Sequence, residues 1–178
     1  MAALAAIIGT CSGAVSALGA ARLNGTMQRR SQHEHWRRDG RRQAYVAFVG
    51  AAVDYGEVIS IVQALDDEDR PSPEAAELYS QVVDMRRTTS KALALVLVEG
   101  PEDVARAAHQ AVRALTAWAC SSGAYHPGHP LAASRSVQSV LRQGPADAVG
   151  LSDLTWQRIR EFETRARAAL DQPLGSAR

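Results

Sequence analysis

The first 42 residues constrain the fold most, because an uncharged run gives way abruptly to a stretch rich in arginine. Residues 2–21 contain no charged side chain, whereas residues 22–42 contain seven arginines against Glu34 and Asp39, a local charge of +5. The remaining residues, 43–178, hold thirteen basic and seventeen acidic side chains, so the net charge of +1 hides a polarised molecule. An apolar segment of about twenty residues followed by cations predicts a single membrane span whose C-terminal side is cytoplasmic.

The apolar segment is only moderately hydrophobic, so two other interpretations stay open. Its strongly apolar residues are Leu4, Ile7, Ile8, Val15 and Leu18. A secretory signal peptide would end at the small residues 19–21, but no Lys or Arg precedes the run and the cations follow it instead. A helix packed on the rest of the protein would place the chain in the cytoplasm.

Small residues within this segment are spaced for close contact between helices. Gly9 and Gly13 form a GxxxG pair, and Ala17 continues the spacing four residues later. Such a face lets two helix backbones approach closely in lipid. We therefore expect a homo-oligomer, although an Ala- and Gly-rich segment also shows this spacing by chance.

Six arginines between the apolar segment and the rest of the chain are named the arginine collar. They come in pairs with Trp36 among them: Arg29, Arg30, Arg37, Arg38, Arg41 and Arg42. Beside a membrane span, these side chains are expected to bind anionic lipid headgroups. Ion pairs within the protein are an alternative. A nucleic-acid interface has little support, because the rest of the chain is acidic and no known reading helix is recognisable.

The chain is predicted to be all-α, with an antiparallel up-down bundle of about four helices after the apolar helix. The predicted divisions are an anchor at 1–23, an arginine-rich stalk at 24–42, a bundle at 43–172 and a tail at 173–178. Within the bundle, residues 121–150 are rich in Gly, Pro, Ser and His and predict an irregular connection with a short helix near 132–142.

Hydrophobic periodicity and capping residues place the helices of the bundle. The first, at 43–65, has one inward stripe and extends back toward Met27; the stripe is Tyr45, Phe48, Ala52, Tyr55, Ile59 and Val62. The second, at 73–98, has Ser72 as its N-cap and Pro73 at its first position. Gly100 and Pro101 end it and begin the third, whose inward residues are Val104, Ala108, Ala111, Leu115 and Trp118.

The last helix is predicted to begin at Ser152 as its N-cap. Its inward residues are Leu154, Ile159, Phe162, Ala166 and Leu170. Its exposed face alternates Arg158, Glu161, Arg165 and Arg167, which is typical of a solvated surface.

Motifs for catalysis or cofactor binding are not found in the sequence. His126 and His129 could hold zinc from a loop, but a structural zinc site needs about four ligands and no Cys or carboxylate is near in sequence. The chain lacks Glu-x-x-His pairs, a glycine-rich phosphate loop, a GxSxG elbow and HExxH. We therefore expect no enzyme, with no catalytic residue, metal or cofactor.

Two segments resemble a known kind of protein. Residues 32–48, QHEHWRRDGRRQAYVAF, and residues 100–104, GPEDV, follow a Gly/Ala-rich N-terminal helix. In this order the chain resembles small uncharacterised membrane-anchored helical proteins of high-GC actinobacteria. The resemblance implies an anchored helical bundle with no assigned activity, and it implies no catalytic residue.

The predicted function is a non-enzymatic, self-associating scaffold or adaptor at the cytoplasmic face of a membrane. Its predicted partners are membrane lipids, other copies of the chain and a possible second protein. One alternative is a soluble oligomer whose first helix mediates protein-protein assembly. A second alternative is a bundle that binds a small ligand near Tyr55, Tyr79 and Trp118.

Overall fold

The computed structural model describes residues 32, 35–66, 68, 70, 72–125, 131, 134–145 and 147–171. The chain divides into two compact units, Met1–Asp39 and Gly40–Arg178. Every regular element within the described residues is a helix, and no strand occurs among them. The all-α prediction is therefore confirmed.

Five helices account for most of the described residues. They are α1 (His35–Gln63), α2 (Pro73–Glu99), α3 (Glu102–Ser121), α4 (Arg135–Gln143) and α5 (Ala148–Asp171). The first helix begins before 43, as predicted, and α4 is the short helix expected within the 121–150 connection.

Helix α1 contributes the predicted stripe to the core of the packed helices. All six stripe residues are buried, five of them completely. Phe162 of α5 meets the rings of Tyr45 and Phe48 edge-on, with centroids 5.8 and 4.6 Å apart. Gly56 permits close approach, since a Cβ there would lie 3.0 Å from the Trp156 ring. Aromatic pairs of this kind add to the stabilisation from burial.

Helix α2 begins and ends as the sequence predicts. Ser72 is the N-cap, and its hydroxyl accepts a hydrogen bond from the Ala75 amide at 3.1 Å. The hydroxyl of Thr89 is buried and donates to the carbonyl of Ala51 at 2.9 Å, which ties α2 to α1. Gly100 follows the last turn and ends the helix.

Helix α3 is the most deeply packed element and contacts α2, α4 and α5. All five predicted inward residues are buried, and five further buried residues are mostly alanines. Their small side chains allow neighbouring helices to approach closely. The helix ends before Gly123, which has a φ of 77° and thus the left-handed conformation that glycine adopts without strain.

The predicted start of the last helix is wrong. Helix α5 begins at Ala148, so Ser152 lies inside it. The side chain of Asp147 instead accepts a hydrogen bond from the Gly150 amide at 3.1 Å, which gives Asp147 the capping role. Ile159, Phe162 and Ala166 are buried as predicted, whereas Leu154 and Leu170 are only half-buried at the edge of the core.

Candidate interaction surfaces

The predicted interaction residues fall partly outside the described chain. Gly9, Gly13 and Ala17, together with Arg29 and Arg30, lie outside the described residues. Predictions for the anchor, for the histidines at 126 and 129, and for the tail lie outside them as well.

The described arginines of the collar divide into two kinds. The side chains of Arg37, Arg38 and Arg42 are exposed, and none makes an ion pair with a described residue. Trp36 is 70% exposed. Arg41 is half-buried, and its Nε donates to the backbone carbonyl of Glu99 at 2.7 Å. Arg41 thus ties α1 to the end of α2, while the other three present their charge to solvent.

Helix α1 is also the one helix among the described residues that is long and apolar enough to cross a membrane. It has 29 residues and a mean hydropathy of 1.5 in its most apolar window. Core helices of soluble proteins meet the same criterion. The aromatic and aliphatic stripe of α1 is buried against the other helices, and 44% of its most apolar window is buried.

A pair of tyrosines forms a buried polar contact between side chains. The hydroxyls of Tyr55 and Tyr125 are 2.5 Å apart, between α1 and the segment that follows α3. Burial raises the pKa of Tyr125, and burial likewise raises the pKa of the Cys120 thiol. Both groups are therefore protonated at neutral pH, and Cys120 is a poor nucleophile.

A small ligand is predicted near Tyr55, Tyr79 and Trp118, and the structure places these residues in different surroundings. Tyr55 is completely buried in the core, and Tyr79 is half-buried. Trp118 borders a small cleft of about 250 Å³, and neither tyrosine lines it. The indole N–H of Trp118 donates to the Gln63 amide oxygen at 2.6 Å, so the one polar group of the indole already has a hydrogen-bond partner.

A larger cleft lies among α3, α4 and α5. Its volume is about 440 Å³, and its lining residues are Gln110, Arg113, Ala114, Ser139, Val140, Gln143, Gly144, Pro145, Leu154 and Arg158. The volume falls within the range of sites for small molecules. No motif in the sequence pointed to this cleft.

Hydrogen bonds hold the two arginines of this cleft. Arg113 uses Nη2 to donate to the Ser136 carbonyl at 3.3 Å and to the Ser139 hydroxyl at 3.2 Å. Its Nε is shielded from solvent and has no hydrogen-bond partner. Arg158 donates from Nη1 to the amide oxygen of Gln110 at 3.4 Å and to Glu161 at 2.8 Å.

One carboxylate serves two arginines at the edge of the cleft. Glu161 accepts from Arg158 at 2.8 Å and from Arg165 at 2.6 Å. The hydrogen bond from Arg158, followed by that from Arg165, holds the pKa of the Glu161 carboxyl below its usual value. Glu161 is thus ionised at neutral pH, and its one negative charge is shared by two arginines.

The described residues contain no group of three or more His, Cys, Asp or Glu side chains that could hold a metal ion. The chain matches no protein-family model, and comparison with curated proteins and with solved structures found no significant similarity.

Proposed function

We propose that the chain is a non-enzymatic helical adaptor held at the cytoplasmic face of a membrane by its N-terminal region. In this proposal residues 2–21 form the anchor, and the arginine collar contacts anionic headgroups. The helices that follow form an antiparallel up-down bundle, and self-association involves Gly9, Gly13 and Ala17. The proposal also includes a relationship between this chain and the membrane-anchored actinobacterial proteins that it resembles.

The observation that supports the proposal most is the state of three collar arginines. Arg37, Arg38 and Arg42 are exposed and form no ion pair with a described residue, so their charges are available to an external anionic surface. A basic side chain near an anionic membrane contributes about 1 kcal/mol to binding. Three such residues would strengthen binding about a hundredfold.

Vesicle binding tests the role of the collar. A chain that starts at Asn24, and so lacks the apolar segment, is sedimented with phosphatidylglycerol-containing or pure phosphatidylcholine vesicles. We expect binding to the anionic vesicles, and the triple variant Arg37→Gln, Arg38→Gln, Arg42→Gln should weaken it about a hundredfold.

The matched control removes the same charge from exposed arginines elsewhere: Arg135→Gln, Arg160→Gln and Arg167→Gln. We expect this control to retain most of the binding. An equal loss in both triple variants would mean that net charge, and not the collar, governs attachment.

A soluble oligomer is the second candidate, and exposed apolar side chains near the end of α2 favour it. Leu95, Leu97 and Val98 are 53%, 43% and 81% exposed. Contiguous exposed apolar residues are typical of protein-protein contacts. Light scattering after gel filtration, with Leu95→Glu and Val98→Glu, tests this candidate: a wild-type oligomer that becomes monomeric supports it, and an unchanged mass contradicts it.

A further inference from the structure

The charged side chains that line the cleft among α3, α4 and α5 are basic. Its lining includes Arg113 and Arg158 but no Asp or Glu. Arg113 forms no ion pair with a described residue, and Glu161 is shared between Arg158 and Arg165. Three guanidinium groups therefore accompany one carboxylate. A partly buried cation without a counter-charge is unfavourable, so this arrangement favours an external anion.

Arg113 is positioned by neutral groups that leave part of its donor capacity unused. Both of its contacts come from Nη2 and end on Ser136 and Ser139 of α4. A guanidinium has five N–H donors, and Nη1 of Arg113 donates to no described residue, whereas its Nε is shielded from solvent. Its planar fork matches the two oxygens of a carboxylate or phosphate.

The rest of the lining suits a molecule that also has an apolar part. Ala114, Val140, Pro145 and Leu154 supply hydrocarbon surface from α3, α5 and the end of α4. Polar groups are contributed by Gln110, Gln143 and Ser139. Binding sites for small molecules combine these features, an apolar lining with a few polar groups that fix orientation.

We propose that this cleft binds a small organic oxyanion, whose carboxylate or phosphate group pairs with Arg113 and Arg158 while its apolar body lies against Val140 and Leu154. The site is separate from the arginine collar. It does not depend on membrane attachment, so the vesicle experiment and the ligand experiment can fail independently.

Calorimetric titration of the full-length protein in a neutral detergent tests the proposal. The probes are phenylacetate, phenyl phosphate and inorganic phosphate, so that the first two identify the preferred oxyanion and the third measures the contribution of the apolar body. We expect one of the two aromatic anions to bind, and to bind more tightly than inorganic phosphate.

Substitutions within the cleft locate the binding. Arg113→Met and Arg158→Met should each lower the affinity for the aromatic anion about tenfold or more, since each removes a charge-assisted hydrogen bond. Arg106→Met is the control, because Arg106 is an exposed arginine on the same helix, paired with Glu102, and outside the cleft lining. We expect this control to bind as the wild type does.

A third substitution blocks the cleft without changing its charge. Leu154→Trp places a larger side chain in the lining and should abolish binding, and its fold is checked by circular dichroism. This variant keeps the test decisive if Arg113→Met does not fold. No heat and no rise in Tm with either aromatic anion at about 10 mM would overturn the proposal. Unchanged affinity in folded Arg113→Met or Leu154→Trp would overturn it as well.

Discussion

The arginines of the collar and those of the cleft differ in how the protein holds them. Arg37, Arg38 and Arg42 extend into solvent without a described ion-pair partner, whereas Arg113 and Arg158 are half-buried and oriented by hydrogen bonds. An exposed cation attracts anions over a distance, and salt screens this attraction. A guanidinium that hydrogen bonds hold in one orientation binds an anion through the geometry of its own hydrogen bonds. The same residue type is therefore suited to a surface in one region and to a single small anion in the other.

Arg41 shows that sequence position alone does not assign an arginine to either kind. It belongs to the collar by sequence, yet its Nε donates to the Glu99 carbonyl and links two helices of the bundle. Within one turn of α1, Arg41 therefore makes a structural contact, whereas Arg38 and Arg42 on either side of it in the sequence are exposed.

The largest expected difference between the collar and the cleft is in how strongly salt weakens the binding at each. Raising NaCl from about 0.05 M to about 0.5 M should weaken the binding of the Asn24 chain to anionic vesicles about a hundredfold, because exposed charges are screened. Binding of an aromatic anion in the cleft should weaken less than about threefold, since the partly buried pair is screened much less. The measurements are vesicle sedimentation and calorimetry in the same buffers, and equal sensitivity would contradict the distinction.

Stability should distinguish Arg41 from its exposed neighbour. Arg41→Gln removes the hydrogen bond to Glu99 and should lower the free energy of unfolding by about 1.5 kcal/mol. Arg42→Gln, at an exposed position, should change it by less than about 0.5 kcal/mol. Urea denaturation followed by circular dichroism measures both, and similar values would mean that the Arg41 contact contributes little.

The smallest expected effect is that of acid pH on the stability that Glu161, the carboxylate beside the cleft, contributes. The lowered pKa of Glu161 means that its stabilising contribution is present at neutral pH and is lost as the pH falls through that pKa. Glu161→Gln should therefore be less stable than wild type by about 0.5 kcal/mol at neutral pH, and the difference should vanish in acid.

The control for this titration is Glu163→Gln, which changes a neighbouring carboxylate that makes no ion pair with a described residue. We expect this control to lose less stability at neutral pH than Glu161→Gln does, because no ion pair with a described residue is removed. A pH-independent difference for Glu161→Gln would show that the two arginines do not lower its pKa.

Local patterns in the sequence predicted most of the helices, because their signals are contained within a few turns. The spacing of Tyr45, Phe48 and Tyr55 predicted the buried face of α1, and Ser72 with Pro73 predicted the start of α2. The start of α5 was missed because Asp147 and Ser152 are both good caps, and Gly150 between them suggested a break.

The cleft could not be predicted, since its residues come from three helices with no shared motif. Arg113 follows an alanine-rich run and Arg158 lies in an alternating charged run, so each resembles an ordinary surface residue. Only the packing of α4 against α3 brings Ser139 to Arg113.

Membrane fractionation tests the central claim most directly. The full-length chain and the chain that starts at Asn24 are expressed in bacteria, and their membranes are washed with high salt at alkaline pH. Attachment through residues 2–21 predicts that the full-length chain stays with the membrane and the shorter chain is released. Release of both would contradict the anchor and favour the soluble oligomer, and retention of both would contradict it in favour of a span formed by α1.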